Sequence, residues 1–124
     1  LKILYKLSIT LAYYFVDYLL KKHTVNQTID IVNKNKIRPF KNTDKYIEAL
    51  EETAYKFEKK DMVCLHKALA TFLLIKNKEQ LTFNIGLSKY NFESHSWITE
   101  NGLVITDNHE YVKDKYIVIK EVHH

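Results

Sequence analysis

The sequence predicts an α+β fold, with amino-terminal helices and one further helix packed on a small antiparallel sheet. Two observations carry this. Apolar residues recur at helical spacing in the amino-terminal half and again from Cys64 to Leu74, whereas from Leu81 onward they alternate with polar ones as on a strand. Helical and strand-like segments are also segregated along the chain rather than interleaved, the order of an α+β fold. Turn residues are scarce, with two glycines and one proline in 124 residues, so each marks a specific turn.

In the first helix, over residues 3–20, Leu4, Leu7, Leu11, Tyr14 and Tyr18 trace one face, and Ile9, Tyr13, Val16 and Leu20 form a second stripe. Ser8, Thr10 and Asp17 interrupt the run and no small-residue cleavage site follows. It therefore reads as a buried or partner-contacting helix rather than an integral membrane span or signal peptide. If the second stripe is exposed, it is a docking surface. Lys21-Lys22 suit its carboxyl end. A second helix runs from Val25 to about Lys34 with Ile29 and Val32 inward. Pro39 breaks the chain, disfavouring helix at Arg38. Thr43 or Asp44 then caps a third helix whose inner face is Ile47, Leu50, Ala54 and Phe57. Asp61 is the expected N-cap of the fourth, with Leu65, Ala68, Leu69, Phe72 and Leu73 on its core face. Strands follow at Leu81–Ser88, with Gly86 permitting a close approach or a bulge, at His95–Thr99, at Leu103–Asp107 and at roughly Tyr116–Lys120.

The length suits one domain, 1–124, with a helical region at 1–60 and a core of helix plus strands at 61–122. An apolar fraction of 46% and a charged fraction of 27% are those of an ordinary soluble protein. One cysteine allows no internal disulfide, and a reducing cytoplasm is its natural setting. The net charge of +4 comes almost wholly from lysine, and Arg38 is the only arginine. With no nucleic-acid-binding signature, dispersed lysines read as a solvated surface, not a DNA or RNA site. Mild attraction to an acidic peptide fits the same charge. Leu1 reads as a trimmed start and His123-His124 as the stub of a tag.

Chemistry concentrates on Cys64. In the first turn of the fourth helix, unpaired N–H groups and the positive end of the helix dipole favour thiolate over thiol. They also supply donors for an oxyanion. The alternative is a packed thiol, since free cysteine is among the most buried residue types. Downstream lie His95 and Asp107, and a cysteine, a histidine and a carboxylate are the ingredients of a thiol-nucleophile triad. The hairpin register decides the third member. A two-residue Asn101-Gly102 turn pairs Glu100 with Leu103 and sets His95 opposite Asn108. A three-residue loop with Gly102 left-handed pairs Thr99 with Leu103 and sets His95 opposite Asp107, the reading favoured because a carboxylate better stabilises imidazolium. Trp97 shares the His95 face and either walls the site as a substrate contact or is core. Glu100 sits at the hairpin tip in solvent. Tyr111, Tyr116 and Phe92 either line a peptide groove or pack the core. A metal site from Cys64, His66, His95 and His109 matches no zinc spacing, so His23, His66 and His109 read as surface or turn residues and no metal or cofactor is expected.

Together Cys64-Leu65, Ile85-Gly86-Leu87, Ser94-His95-Ser96-Trp97-Ile98, Asn101-Gly102 and Asp107 resemble the transglutaminase-like superfamily. More narrowly, they resemble the lasso-peptide leader peptidases, the B proteins of lasso-peptide biosynthesis. The likeness spans about residues 62–110. Lys67-Ala68 stands where that family often has arginine-serine, and Ser94 and Ser96 replace alanines beside the histidine. The resemblance implies a transglutaminase- or papain-like cysteine protease core without cofactor, in which Cys64 attacks the leader–core junction of a precursor peptide, His95 moves the proton and Asp107 orients His95. It implies three partners: the precursor, a separate leader-recognition protein, and an ATP-dependent lasso cyclase that uses the freed amine. A transglutaminase-like amidase or deamidase, or a non-catalytic peptide-binding module on the same fold, is the alternative.

Overall fold

The computed structural model describes residues 2–35, 37, 39–41, 43–58, 64–75, 81–91 and 93–123. Among these, helices α1 (Lys2–Lys22), α2 (Val25–Lys34), α3 (Thr43–Phe57) and α4 (Cys64–Leu74) precede strands β1 (Leu81–Ser88), β2 (Ser94–Glu100) and β3 (Leu103–Val104). Helix α5 (His109–Lys115) and strand β4 (Tyr116–His123) complete the order. The sheet is antiparallel with spatial order β3-β2-β1-β4, which makes this an α+β fold.

Helix α4 lies on β1 and β2, while α1 packs across α3 and α4. The core between the layers includes Phe72, Leu69, Phe83, Leu81 and Ile98, all fully buried. Each large apolar side chain withdrawn from water there contributes roughly 1.5–3 kcal/mol. A smaller cluster of Trp97, Val112 and Tyr116 covers the opposite sheet face, beneath α5.

Helix α1 passes the length and composition test for a membrane span, yet Ile9, Ala12, Tyr13, Val16 and Leu19 are buried in the fold. The two stripes exchange the roles expected of them. The Ile9–Tyr13–Val16 stripe faces the core, and Leu4, Leu7, Leu11, Tyr14 and Tyr18 are exposed. Both stripes are apolar, so periodicity could not choose between them.

Helix α2 has the expected bounds, with Thr24 forming a capping box with Gln27. In α3 the inner face is rotated by about one residue: Tyr46, Ala49, Leu50, Thr53 and Phe57 are buried, whereas Ile47 and Ala54 are only partly so. Thr43 is the first helical residue rather than a cap, and its hydroxyl donates to Glu100 at 3.1 Å, which draws Glu100 from the solvated position expected for it. The expected cap Asp61, the residue Arg38 and the aromatic Phe92 lie outside the described residues.

Strand β1 has the bounds read from the sequence, and both properties expected of Gly86 are present. The β1–β4 register shifts between Ile85 and Gly86, and the Trp97 ring lies against the position a Cβ at Gly86 would occupy. Strand β4 runs on to His123, which pairs with Thr82. The strand expected over Leu103–Asp107 stops at Val104. Helix α5 was not foreseen. It is seven residues long and buries only Val112, too little periodicity to read, but its signals exist: the Asn108 cap, Glu110 in its first turn, and Lys113 and Lys115 in its last.

Candidate active site

Cys64 opens α4, whose body is buried from Ala68 to Leu74, so the thiol sits on a rigid element at the end where the helix dipole is positive. His95 lies near the start of β2, opposite Gly86 of β1. Its Nε2 is 3.0 Å from Oδ2 of Asp107, and the Cys64 thiol is near enough to help hold it protonated. With Nε2 engaged by the carboxylate, Nδ1 is the ring nitrogen left for sulfur.

The hairpin reaches this arrangement by a route that sequence pairing did not anticipate. Glu100 pairs with Leu103 and Thr99 with Val104, with Asn101 at φ 52° and Gly102 at φ 83°. This is the two-residue turn, not the favoured three-residue loop. Positive φ at both positions suits Asn-Gly, and the twist of such a turn matches the flanking strands. Simple continuation of that register would set Asn108 against His95. Instead the chain leaves the ladder. Ile105 N–H still reaches the Ile98 carbonyl, but Ile98 N–H is taken by the Thr106 hydroxyl, and the following bend carries Asp107 to His95. Asn108 accepts from Tyr111 N–H as the cap of α5, which removes it from the histidine.

That departure has a second effect. The N–H groups of Ile98 and Ser96 point to the same edge of β2, because orientation alternates along a strand. With β3 gone, the Ser96 N–H is free to donate to the Cys64 sulfur. Burial pushes the Cys64 thiol up, but hydrogen bonds from His95 and from the Ser96 amide outweigh it, and the thiol ends below its ordinary range. For His95, burial pushes the imidazolium down while Asp107 and Cys64 raise it, leaving it at about 9. Both directions favour a thiolate beside an imidazolium.

Trp97 is buried on the His95 face, with ring centroids 5.9 Å from His95, and Tyr116 stacks at 5.0 Å. These rings fix the imidazole plane. Tyr111 is exposed and meets Tyr116 edge-on. Behind the site, His66 is buried rather than at the surface. Its Nε2 lies 3.0 Å from Asp17 on α1, where Lys21 and His66 hold the carboxyl below its usual range against the effect of burial. The Tyr13 ring lies beside His66, 6.4 Å between centroids. The Tyr13 hydroxyl and His66 Nδ1 are both buried with no hydrogen-bond partner among the described residues. His109 accepts from Val104 N–H through Nδ1 at the start of α5. Among the described residues, no three His, Cys, Asp or Glu side chains are grouped to hold a metal ion.

Sequence reasoning missed the Ser96 amide, the stacking of Tyr116 and the His66–Asp17 pair. None has a local signal, since each depends on contacts between distant elements.

A thiol at a helix start, beside a histidine that is itself held by a carboxylate, can perform acyl transfer through a covalent thioester. Residues 23–121 match the family model described as the transglutaminase-like superfamily, and the chain belongs to that superfamily, which includes cysteine peptidases and related enzymes. No curated protein and no solved structure matches it.

Proposed function

We propose that this chain is a cysteine peptidase that removes the leader from a ribosomally made lasso-peptide precursor, using Cys64, His95 and Asp107. The observation that carries this reading is His95 held by Asp107 at 3.0 Å and electrostatically coupled to Cys64, in a chain of this superfamily. The resemblance of Cys64-Leu65, Ser94-His95-Ser96-Trp97-Ile98 and Asp107 to the leader peptidases supports the choice of substrate.

In this reading the Cys64 thiolate attacks the scissile carbonyl. His95 as imidazolium donates its proton to the departing amine, leaving a thioester to one peptide fragment. Water then attacks the thioester, giving one proton to His95, and the carboxylic acid leaves as Cys64 is regenerated. Asp107 keeps the imidazole oriented and stabilises its charged form. The Ser96 and Cys64 backbone amides are candidate donors to the oxyanion. The freed amine is the nucleophile for a separate, ATP-dependent lasso cyclase. A separate recognition protein delivers the leader, and the exposed α1 stripe is the surface available to it. The reaction belongs in the cytoplasm, where the thiol stays reduced.

The test mixes the protein with a candidate precursor, with and without the neighbouring recognition protein, and follows products by mass spectrometry. Loss of an intact leader, abolished by Cys64→Ala, is the expected result. A small mass gain on an uncleaved peptide would transfer the assignment to a side-chain amidase or deamidase. Processing that survives Cys64→Ala would end the enzymatic reading.

A further inference from the structure

The sheet face that carries His95 continues into a cavity of about 410 Å³ whose walls include Asn84, Trp97, Thr99, His109, Lys113 and Tyr116. The rings of Trp97 and Tyr116, 5.9 Å apart, belong both to this cavity and to the stack on His95. The two spaces are therefore separated by one aromatic layer.

Its polar groups are set for a ligand. Asn84 is 4% exposed. Its Nδ2 donates to the Thr82 carbonyl at 3.2 Å and to the Thr99 hydroxyl at 3.3 Å. A carbonyl can only accept, which fixes the amide orientation and leaves Oδ1 as an acceptor with no donor among the described residues. Oδ1 is not among the buried unpaired atoms, so it is open to the cavity rather than sealed in the core. His109 accepts from Val104 N–H through Nδ1 at 3.1 Å, so its proton is on Nε2, a donor. Lys113 lines the cavity and has no hydrogen bond or ion pair among the described residues. Glu121 also lines the cavity, from β4, and its carboxylate has His123 Nε2 at 3.5 Å.

We propose that this cavity is a subsite for an acidic residue of a peptide substrate. The carboxylate is taken by Lys113 and His109 Nε2–H, a backbone N–H of the peptide donates to Asn84 Oδ1, and the aliphatic part lies on Trp97 and Tyr116. The inference rests on the peptidase reading for its substrate. Positions 95, 97 and 99 share this face at roughly 3.3 Å per residue, so the acidic residue lies about two to four residues from the scissile bond. The net charge of +4 favours the same ligand.

Trp97 is the only tryptophan in the chain, so its fluorescence reads occupancy without any need for cleavage. The experiment titrates the Cys64→Ala protein with the blocked peptide acetyl-Ala-Leu-Asp-Ala-Ala-amide and with its asparagine counterpart. The acidic peptide is expected to shift Trp97 emission and bind at least about fivefold tighter. That preference should disappear in Lys113→Gln and His109→Gln proteins, whose thermal unfolding is checked in parallel. Equal binding of the two peptides, or a preference that survives both substitutions, would overturn the subsite. Because the readout is binding to an inactive protein, this result stands apart from whether the chain cleaves a precursor.

Discussion

Gly86→Ala is the sharpest probe of how the sheet holds His95. A Cβ at Gly86 would lie 2.5 Å from Trp97 Cη2, 2.8 Å from Cζ3 and 3.0 Å from the Ile117 carbonyl oxygen. Gly86 is not among the residues with positive φ, so the collision rather than backbone strain sets the cost. The indole cannot swing into solvent freely, because it is 3% exposed and packed against both His95 and Tyr116. Overpacking of this kind costs about 1–3 kcal/mol, and the lower entropy of an unfolded chain with alanine returns about 0.4–1 kcal/mol. The net expectation is a loss of about 1–2 kcal/mol, or a fall in Tm of roughly 3–10 °C for a domain of this size. Far-UV circular dichroism would follow the melt, and Trp97 emission would report the displaced ring. In a Trp97→Phe background the outer ring atoms are gone, so adding Gly86→Ala should cost about 1 kcal/mol less. Equal costs in the two backgrounds, or a neutral Gly86→Ala, would refute the packing of Trp97 over Gly86.

Four further outcomes are expected. Asp107→Asn should lower cleavage of a precursor by roughly 10²–10⁴, whereas Asn108→Ala should cost about 1 kcal/mol of stability as a lost cap and leave the rate nearly unchanged; the reverse pattern in kinetics and melting would make Asn108 the partner of His95. Cleavage rate against pH should be bell-shaped, rising as Cys64 ionises below the ordinary thiol range and falling as His95 loses its proton near pH 9. The raised His95 likewise stabilises the fold fully below its ordinary value of 6.5 and loses that contribution as pH rises through about 9, visible in denaturant midpoints. Tyr13→Phe removes a buried hydroxyl with no partner among the described residues, so its stability should be unchanged or higher by up to about 1 kcal/mol, and a clear loss in chemical denaturation would contradict that burial.

Much of this molecule was legible before any coordinates. Val25–Lys34, Leu81–Ser88 and a helix carrying Cys64 in its first turn follow from periodicity and local signals, because a helix or strand that buries one face must repeat its apolar residues at that spacing. Gly86 announced a bulge and a close approach by lacking a side chain, and both are present. Where periodicity was degenerate it failed. Helix α1 is apolar on both stripes, and α5 is too short to show a stripe at all.

The amino-acid sequence alone set the class of fold, the bounds of most elements and the residue types able to do thiol chemistry. It did so because hydrophobic spacing, capping and turn preference are local properties of a few neighbouring residues. Long-range packing set which face of α1 is buried, that the Asn101-Gly102 turn is the two-residue kind, and that Asp107 meets His95 despite that register. Those outcomes depend on where β3 leaves the ladder, how α5 is capped and what packs beneath α4. Each is a competition between contacts distant in sequence, which no local pattern records.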